Sequence, residues 1–156
     1  MKNMTKWILL VVITVSMVAT AFAHCEVPCG IYGDATRVEL IKEHVKTVEK
    51  SMVMIEKLSK AKKIDYNQLV RWINNKDEHA EKIQDLATQY FMFQRIKPKK
   101  EDDTEAYETY LLQLENMHLI TVYAMKCKQG TNQDNAKKIL GYLNVFEESY
   151  FEKHDH

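Results

Sequence analysis

Apolar residues recur every three or four positions along most of this chain, and this period restricts it to helical folds. The first such stretch follows Asp34, which we expect to cap a helix, and its apolar residues would share one side of that helix. With only four glycines and two prolines in 156 residues, few positions can interrupt a helix. The apolar seam consists of Val38, Ile41, Val45, Val48, Met52 and Ile55.

Three further stretches carry the same period. Asp65 stands three residues before Gln68 in a capping-box pattern that opens a second helix, and Pro98 ends that helix. A third helix ends at Gly130, and residues 131–134 cap a fourth. Four amphipathic helices with short polar links predict an all-α fold, an antiparallel four-helix bundle over residues 34–156. The residues expected on the inner sides are Leu69, Trp72, His79, Ile83, Leu86 and Tyr90 in the second helix, Tyr107, Tyr110, Leu114, Met117, Thr121 and Ala124 in the third, and Ile139, Leu143, Phe146 and Tyr150 in the fourth.

The charge balance excludes one class of partner. The chain has 22 basic and 22 acidic residues, so its formal net charge is zero. Proteins that bind nucleic acid carry a basic excess or a basic stripe. We therefore expect no nucleic-acid partner.

Residues 1–23 have the composition of a secretory signal peptide. Lys2 and Lys6 give a positive start, the apolar run WILLVVITVSMVATAF follows, and Ala21 and Ala23 supply the small residues of a cleavage site. An uncleaved anchor is the alternative, but it needs about 20 apolar residues, and this run is shorter and contains three hydroxyl residues. We expect cleavage after Ala23 and a periplasmic or secreted protein with no stable membrane anchor.

Cleavage would expose a chemically unusual N-terminal arm, HCEVPCGIY, residues 24–32. The α-amine of His24, the backbone nitrogen of Cys25 and the thiolates of Cys25 and Cys29 can form a planar set of two nitrogens and two sulfurs. The His24 imidazole can reach an axial position. A square-planar field of nitrogen and thiolate donors favours Ni(II) or Cu(II) over zinc, which prefers a tetrahedron. The arm is therefore predicted to be an irregular metal-binding hook outside the bundle.

The arm resembles the nickel hook of the nickel superoxide dismutase family, His-Cys-x-x-Pro-Cys-Gly-x-Tyr. The resemblance continues through TRVELIKEHVKTVEKSM and NQLVRWINNKDEHAEKIQDLATQYF. It implies a domain over residues 24–156, a four-helix bundle assembled as a homohexamer, with one nickel ion per subunit. It also implies disproportionation of superoxide to dioxygen and hydrogen peroxide by Ni(III)/Ni(II) cycling, with His24, Cys25 and Cys29 as ligands.

The resemblance implies two further site residues. Tyr32 matches the tyrosine that lies over the open face of the metal and limits access to small anions. Glu39 matches the acid that orients the axial imidazole, although the link from Tyr32 to Glu39 is one residue shorter than in some relatives. The family also has a basic partner for this acid on the second helix, for which Arg71 and His79 are both candidates.

Two other functions fit the same arm. Cys25 and Cys29 could form a structural disulfide in a secreted helical protein, or the arm could carry nickel or copper without turnover. The third cysteine, Cys127, is expected to be a small residue near a helix end. The histidines of the bundle, His44, His79 and His118, are expected to be surface or interhelical hydrogen-bonding residues.

Overall fold

The computed structural model describes Lys6 and residues 30–151, and all regular secondary structure in this part of the chain is helical, with no strand among the described residues. The predicted all-α fold class is confirmed. No helix within the described ranges has the length and apolar character needed to cross a membrane. The elements are α1 (Asp34–Ser59), α2 (Tyr66–Asp85), a π-helix (Leu86–Arg95), α3 (Thr104–Gln129) and α4 (Asp134–Phe151).

The four α-helices run antiparallel to their neighbours. His44 in α1 meets His79 in α2, and Gln84 of α2 donates to the carbonyl of Thr121 in α3. Gln113 near the start of α3 donates to the carbonyl of Ser149 near the end of α4. Each helix packs against two others, so the core lies along the axis of the bundle.

The predicted seam of α1 is confirmed at five positions, which are at most 1% exposed, while Ile55 is half-buried. The seam of α4 is also confirmed, since all four predicted residues are buried. Burying aliphatic and aromatic side chains of this size contributes about 1.5–3 kcal/mol each. The buried α1 residues are Val38, Ile41, Val45, Val48 and Met52.

The predicted inner side of α3 is only partly correct. Met117 and Ala124 are buried, but Ile120 and Cys127 complete the core face, and the remaining predicted residues are half-buried. The spacing of apolar residues did not identify one buried side of α3, because this helix carries apolar residues on more than one side. Leu111 and Leu112 remain 45% and 40% exposed.

The second predicted helix is two elements. An α-helix ends at Asp85, and a π-helix continues to Arg95, where Ile96 turns into extended backbone two residues before Pro98. The amide of Ile96 donates to the carbonyl of Phe91, five residues back, as a π-helix requires. Such wide turns are rare and occur often at functional sites.

Two N-caps predicted from the sequence can be compared with the structure. At α2 the side chain of Asp65 accepts from the amide of Gln68, as predicted. The cap predicted at Asp34 is wrong: Gly33 occupies that position, no side chain caps the helix, and Asp34 is its first residue. The carboxylate of Asp34 points instead to partners on other helices.

A buried lysine caps α3 from the neighbouring helix. Lys76 of α2 is 3% exposed, and its ammonium donates to the carbonyls of Cys127 and Lys128 at 2.6 and 2.7 Å. It also pairs with Asp77 at 2.8 Å. The last carbonyls of a helix lack intrahelical partners and attract cations, so Lys76 ties α2 to the end of α3.

We predict that Lys76→Met destabilises the bundle. Methionine keeps the length and the apolar stem, but the change leaves two helix-end carbonyls without their charged donor, at a cost of about 1–3 kcal/mol in the free energy of unfolding. Urea denaturation measures the loss. Lys82→Met removes an ion pair from a more exposed site on the same helix and should cost less than about 1 kcal/mol. Equal losses in the two variants would contradict the role of Lys76.

Candidate metal centre

The continuous described segment begins at Gly30, after the predicted ligands His24, Cys25 and Cys29, which lie outside the described residues. Gly30 has a φ of 73°, a conformation that glycine adopts without strain. Within residues 30–151, no group of three or more potential metal ligands occurs.

Tyr32, the last residue of the predicted hook, is held against the bundle by aromatic and cationic contacts. The guanidinium of Arg95 lies over its ring, 4.1 Å from the ring centre, and the ring of Tyr90 meets it edge-on at 6.1 Å. A cation over an aromatic face contributes about 0.5–1 kcal/mol at an exposed site. Tyr32 is 44% exposed, so part of its surface stays open to solvent and to small molecules.

The carboxylate of Asp34, two residues after this tyrosine, accepts hydrogen bonds from three side chains. Arg95 donates from Nε and Nη2, with its shortest bond of 2.7 Å from Nη2 to Oδ2. The hydroxyls of Tyr90 and Tyr150 donate at 2.6 and 2.8 Å. The Tyr90 hydroxyl also accepts from the amide of Gly33 at 2.9 Å, which fixes the backbone between Tyr32 and α1. We call Asp34, Tyr90, Arg95 and Tyr150 the Asp34 cluster.

The π-helix explains how two members of the cluster reach one carboxylate. Tyr90 and Arg95 are five residues apart, which in an α-helix would place them roughly 140° apart around the axis. Hydrogen bonds between residues five apart widen the turn and bring such positions towards the same side. Both side chains can therefore point to Asp34 at the start of α1.

The cluster changes the acidity of its members. Burial alone would raise the pKa of Asp34, but hydrogen bonds from Arg95, Tyr90 and Tyr150 outweigh this effect and lower it. The hydrogen bond to Asp34 raises the pKa of Arg95. Burial, followed by the bond to Asp34, raises the pKa of both tyrosines. The cluster is thus an ion pair with two neutral phenols at neutral pH.

Glu39 lies on a different side of α1 from this cluster. Its side chain is 66% exposed and pairs with Lys42 at 2.9 Å, and Lys42 also reaches Glu147 on α4. The two candidate partners on α2 are elsewhere: His79 contacts His44, and Arg71 lies with Thr47 beside a groove further along the bundle. Neither is brought to Glu39 in the described part of the chain.

Sequence reasoning missed the Asp34 cluster, although a signal existed. Tyr90 and Tyr150 were both expected on inner sides, and a buried tyrosine hydroxyl needs a hydrogen-bond partner. In an antiparallel bundle, residues near the ends of the second and fourth helices lie level with the start of the first. Asp34 is the acid at that level.

Comparison with known proteins identifies one family. A family model described as nickel-containing superoxide dismutase matches residues 19–154. The match covers the whole segment 24–32 and all four α-helices. No curated protein and no solved structure matches the chain.

We predict that Asp34→Asn lowers the free energy of unfolding by about 2 kcal/mol at pH 7, because it leaves Arg95 without its charged partner. Folding lowers the pKa of Asp34. Its contribution is therefore present above the unfolded-state value, near 3.8, and is lost as the pH falls through the folded-state value. The difference in stability between the wild type and the variant should shrink below about pH 4.

Urea unfolding measured from pH 7 to pH 3 tests this dependence. The control is Asp65→Asn, at the exposed N-cap of α2, where asparagine caps as well as aspartate and the stability should barely change. A difference between wild type and Asp34→Asn that stayed constant down to pH 3 would show that the charge of Asp34 contributes nothing.

Proposed function

The chain belongs to the nickel-containing superoxide dismutase family, and from this membership we propose that residues 24–32 form its nickel centre. Membership makes the protein an oxidoreductase that acts on superoxide with nickel as its cofactor. The observation that carries the proposal is the position of the family match, which includes the complete sequence HCEVPCGIY.

The donors of this segment fit the metal. We propose that nickel is held by the α-amine and imidazole of His24, the backbone nitrogen and thiolate of Cys25, and the thiolate of Cys29. Nitrogen and thiolate donors suit nickel in a square-planar field. The bound ion would supply a Ni(III)/Ni(II) couple that oxidises one superoxide to dioxygen and reduces another, with two protons, to hydrogen peroxide.

Tyr32 is proposed to control which molecules reach the metal. Two contacts support this role, the stacking of Arg95 over its ring and the edge of Tyr90 against it, because they hold the ring in one place at the base of the hook. An open metal face covered by a fixed ring admits small anions and excludes larger ones.

The charges around the base of the hook suit an anionic substrate. Arg95 lies 4.1 Å from the ring centre of Tyr32, and Arg37 lies 5.2 Å from that of Tyr90. Lys97 and Lys99 line a cavity of about 480 Å³ that Arg95 also borders. Cationic groups around a site raise the local concentration and the arrival rate of anions such as superoxide.

Glu39 is proposed to accept a hydrogen bond from the His24 imidazole and so to orient it. Its exposed carboxylate, near the start of α1, is free to leave Lys42 because an exposed pair of this kind is weak. A hydrogen bond to the second ring nitrogen fixes the orientation of a ligating histidine.

Export and processing are proposed to create the centre. The α-amine of His24 exists only after the bond following Ala23 is cut, since in the precursor that nitrogen is a peptide amide. Removal of residues 1–23 would therefore both release the protein to the periplasm or the exterior and complete the ligand set.

Self-assembly is proposed to cover apolar surface that the bundle leaves exposed. Leu111, Leu112 and Met125 of α3, Val145 of α4 and Phe93 of the π-helix are each 39–62% exposed. In an assembly of several chains, such groups can be covered by a neighbouring chain. We propose a homohexamer with one nickel ion in each subunit.

We predict that one added residue disables the enzyme. A chain starting at His24 and a chain with one extra N-terminal alanine are loaded with Ni(II), and their thermal melts and superoxide decay rates are compared. The melts should agree because the added residue precedes every helix of the bundle in the sequence, while activity should be confined to the chain that starts at His24. Cys25→Ser and Cys29→Ser supply inactive references. Equal activity of the extended chain would exclude the α-amine as a ligand.

We predict six chains per particle for the chain starting at His24. Sedimentation equilibrium at micromolar concentration measures the mass directly. The Ala-extended chain should give the same mass, because its change touches no bundle surface. A monomer in both samples would refute the proposed assembly without affecting the ligand assignment.

A further inference from the structure

Two histidines that the proposed centre does not use face each other between α1 and α2. The Nδ1 atoms of His44 and His79 are 3.1 Å apart, the ring centres are 4.9 Å apart, and the ring planes are inclined by 76°. Both side chains are half-buried, and both residues lie within their helices, well away from the ends. The backbone therefore holds the pair in place, and the predicted interhelical hydrogen bond is present.

We propose that His44 and His79 form a second, exchangeable site for a divalent first-row transition metal ion such as Ni(II). Imidazole nitrogens bind such ions at about 2.0–2.1 Å. When the nitrogen–metal–nitrogen angle lies between the square-planar and the tetrahedral value, the two nitrogen atoms are roughly 2.9–3.4 Å apart. The observed separation of 3.1 Å lies within this range. A metal ion can therefore replace the hydrogen bond without moving either helix.

The protonation of the pair suits metal binding. Burial lowers the pKa of both rings, and the neighbouring His79 lowers that of His44 further. Neutral imidazole is the form that binds metal. In the free pair one Nδ1 carries the proton of the hydrogen bond. With metal bound, each neutral ring carries its proton on Nε2, so no net proton is lost.

Charged groups of both signs surround the pair, and Lys82 lowers the pKa of both rings more than Glu43 raises that of His44 or Glu78 raises that of His79. Glu43 and Glu78 are the sequence neighbours of the two histidines, and Asp85 lines the adjoining groove. The cations on this side are Arg37 and Lys82, and Lys82 is already paired with Glu78 at 2.6 Å. The ion pair with Glu78 offsets part of the repulsion between Lys82 and a bound divalent ion.

The groove beside the pair can hold the rest of a coordination shell. It has a volume of about 330 Å³ and is lined by His44 and Lys82 together with Leu40, Asp85 and Gln89. No third His, Cys, Asp or Glu completes a cluster there among residues 30–151. Water would therefore fill the remaining positions, and an ion held by two protein ligands exchanges readily. Such a site can hold metal temporarily but cannot hold it as tightly as the hook.

The test uses the full chain from His24 with the hook disabled, so that its outcome does not depend on the proposed catalytic centre. The chain carries Cys25→Ser, Cys29→Ser and one extra N-terminal alanine. Isothermal titration with NiCl₂ should show one saturable site per chain, and the melting temperature should rise with nickel concentration because the ion joins α1 to α2.

Conservative substitutions test whether His44 and His79 are the ligands of the site. His44→Gln and His79→Gln retain a hydrogen-bonding side chain, and each should weaken nickel binding at least about tenfold and remove the thermal shift. The matched control is His118→Gln, at an exposed histidine of α3, which should leave binding unchanged. A second control, His154→Gln with His156→Gln, removes the histidines of the C-terminal tail.

Each result of these titrations either supports the proposed site or overturns it. Binding that is lost in both bundle variants, and kept in both controls, supports the site. The proposal is overturned if the hook-disabled chain shows no saturable nickel binding, or if binding survives both bundle variants. It is also overturned if binding disappears in the tail variant alone. A loss of stability in His44→Gln with no effect of nickel on any variant would identify the pair as a hydrogen bond only.

Discussion

The geometry around the proposed metal centre depends on the hydrogen bonds that the carboxylate of Asp34 accepts. Removing a carboxylate from water is costly, and this one accepts from Arg95, Tyr90 and Tyr150, so the cost is offset by charged and phenolic donors. These donors come from the π-helix and from α4. The ion pair with Arg95 and the hydrogen bonds from Tyr90 and Tyr150 therefore fix the start of α1 against the π-helix and α4.

This arrangement bears on the proposed catalytic centre because the proposed ligands lie within ten residues of Asp34 in the sequence. The amide of Gly33 bonds to Tyr90, and Arg95 bonds to Asp34 while lying over Tyr32. The same side chains thus hold the backbone and the tyrosine of the arm. A metal centre on an irregular segment needs support of this kind, since a displacement of about 1 Å can disable a site. The rare π-helix supplies two of the supporting groups.

The features predicted correctly depend on residues that are close together in the sequence. The seam from Val38 to Met52 follows the helical period, and the cap at Asp65 depends on residues three apart, so both were found. The donor set predicted for residues 24–32 also rests on residues close together in the chain, but its ligands lie outside the described residues and stay a prediction. The Asp34 cluster was not predicted, because it joins residues from three elements, and no residue pattern announced the change to a π-helix. Asp34 was instead assigned to a cap, the local role that aspartate most often has before a helix.

The third cysteine shows why a thiolate ligand is not expected in the core of the bundle. Cys127 is fully buried in α3, and burial raises the pKa of its thiol to about 11. A thiol of that acidity stays protonated at neutral pH and is a poor ligand, so it does not compete for nickel. Cysteines placed in the same apolar core would need a compensating charge before they could bind metal. The two cysteines proposed as ligands precede every helix of the bundle in the sequence, so metal binding there would not require a thiolate in the apolar core.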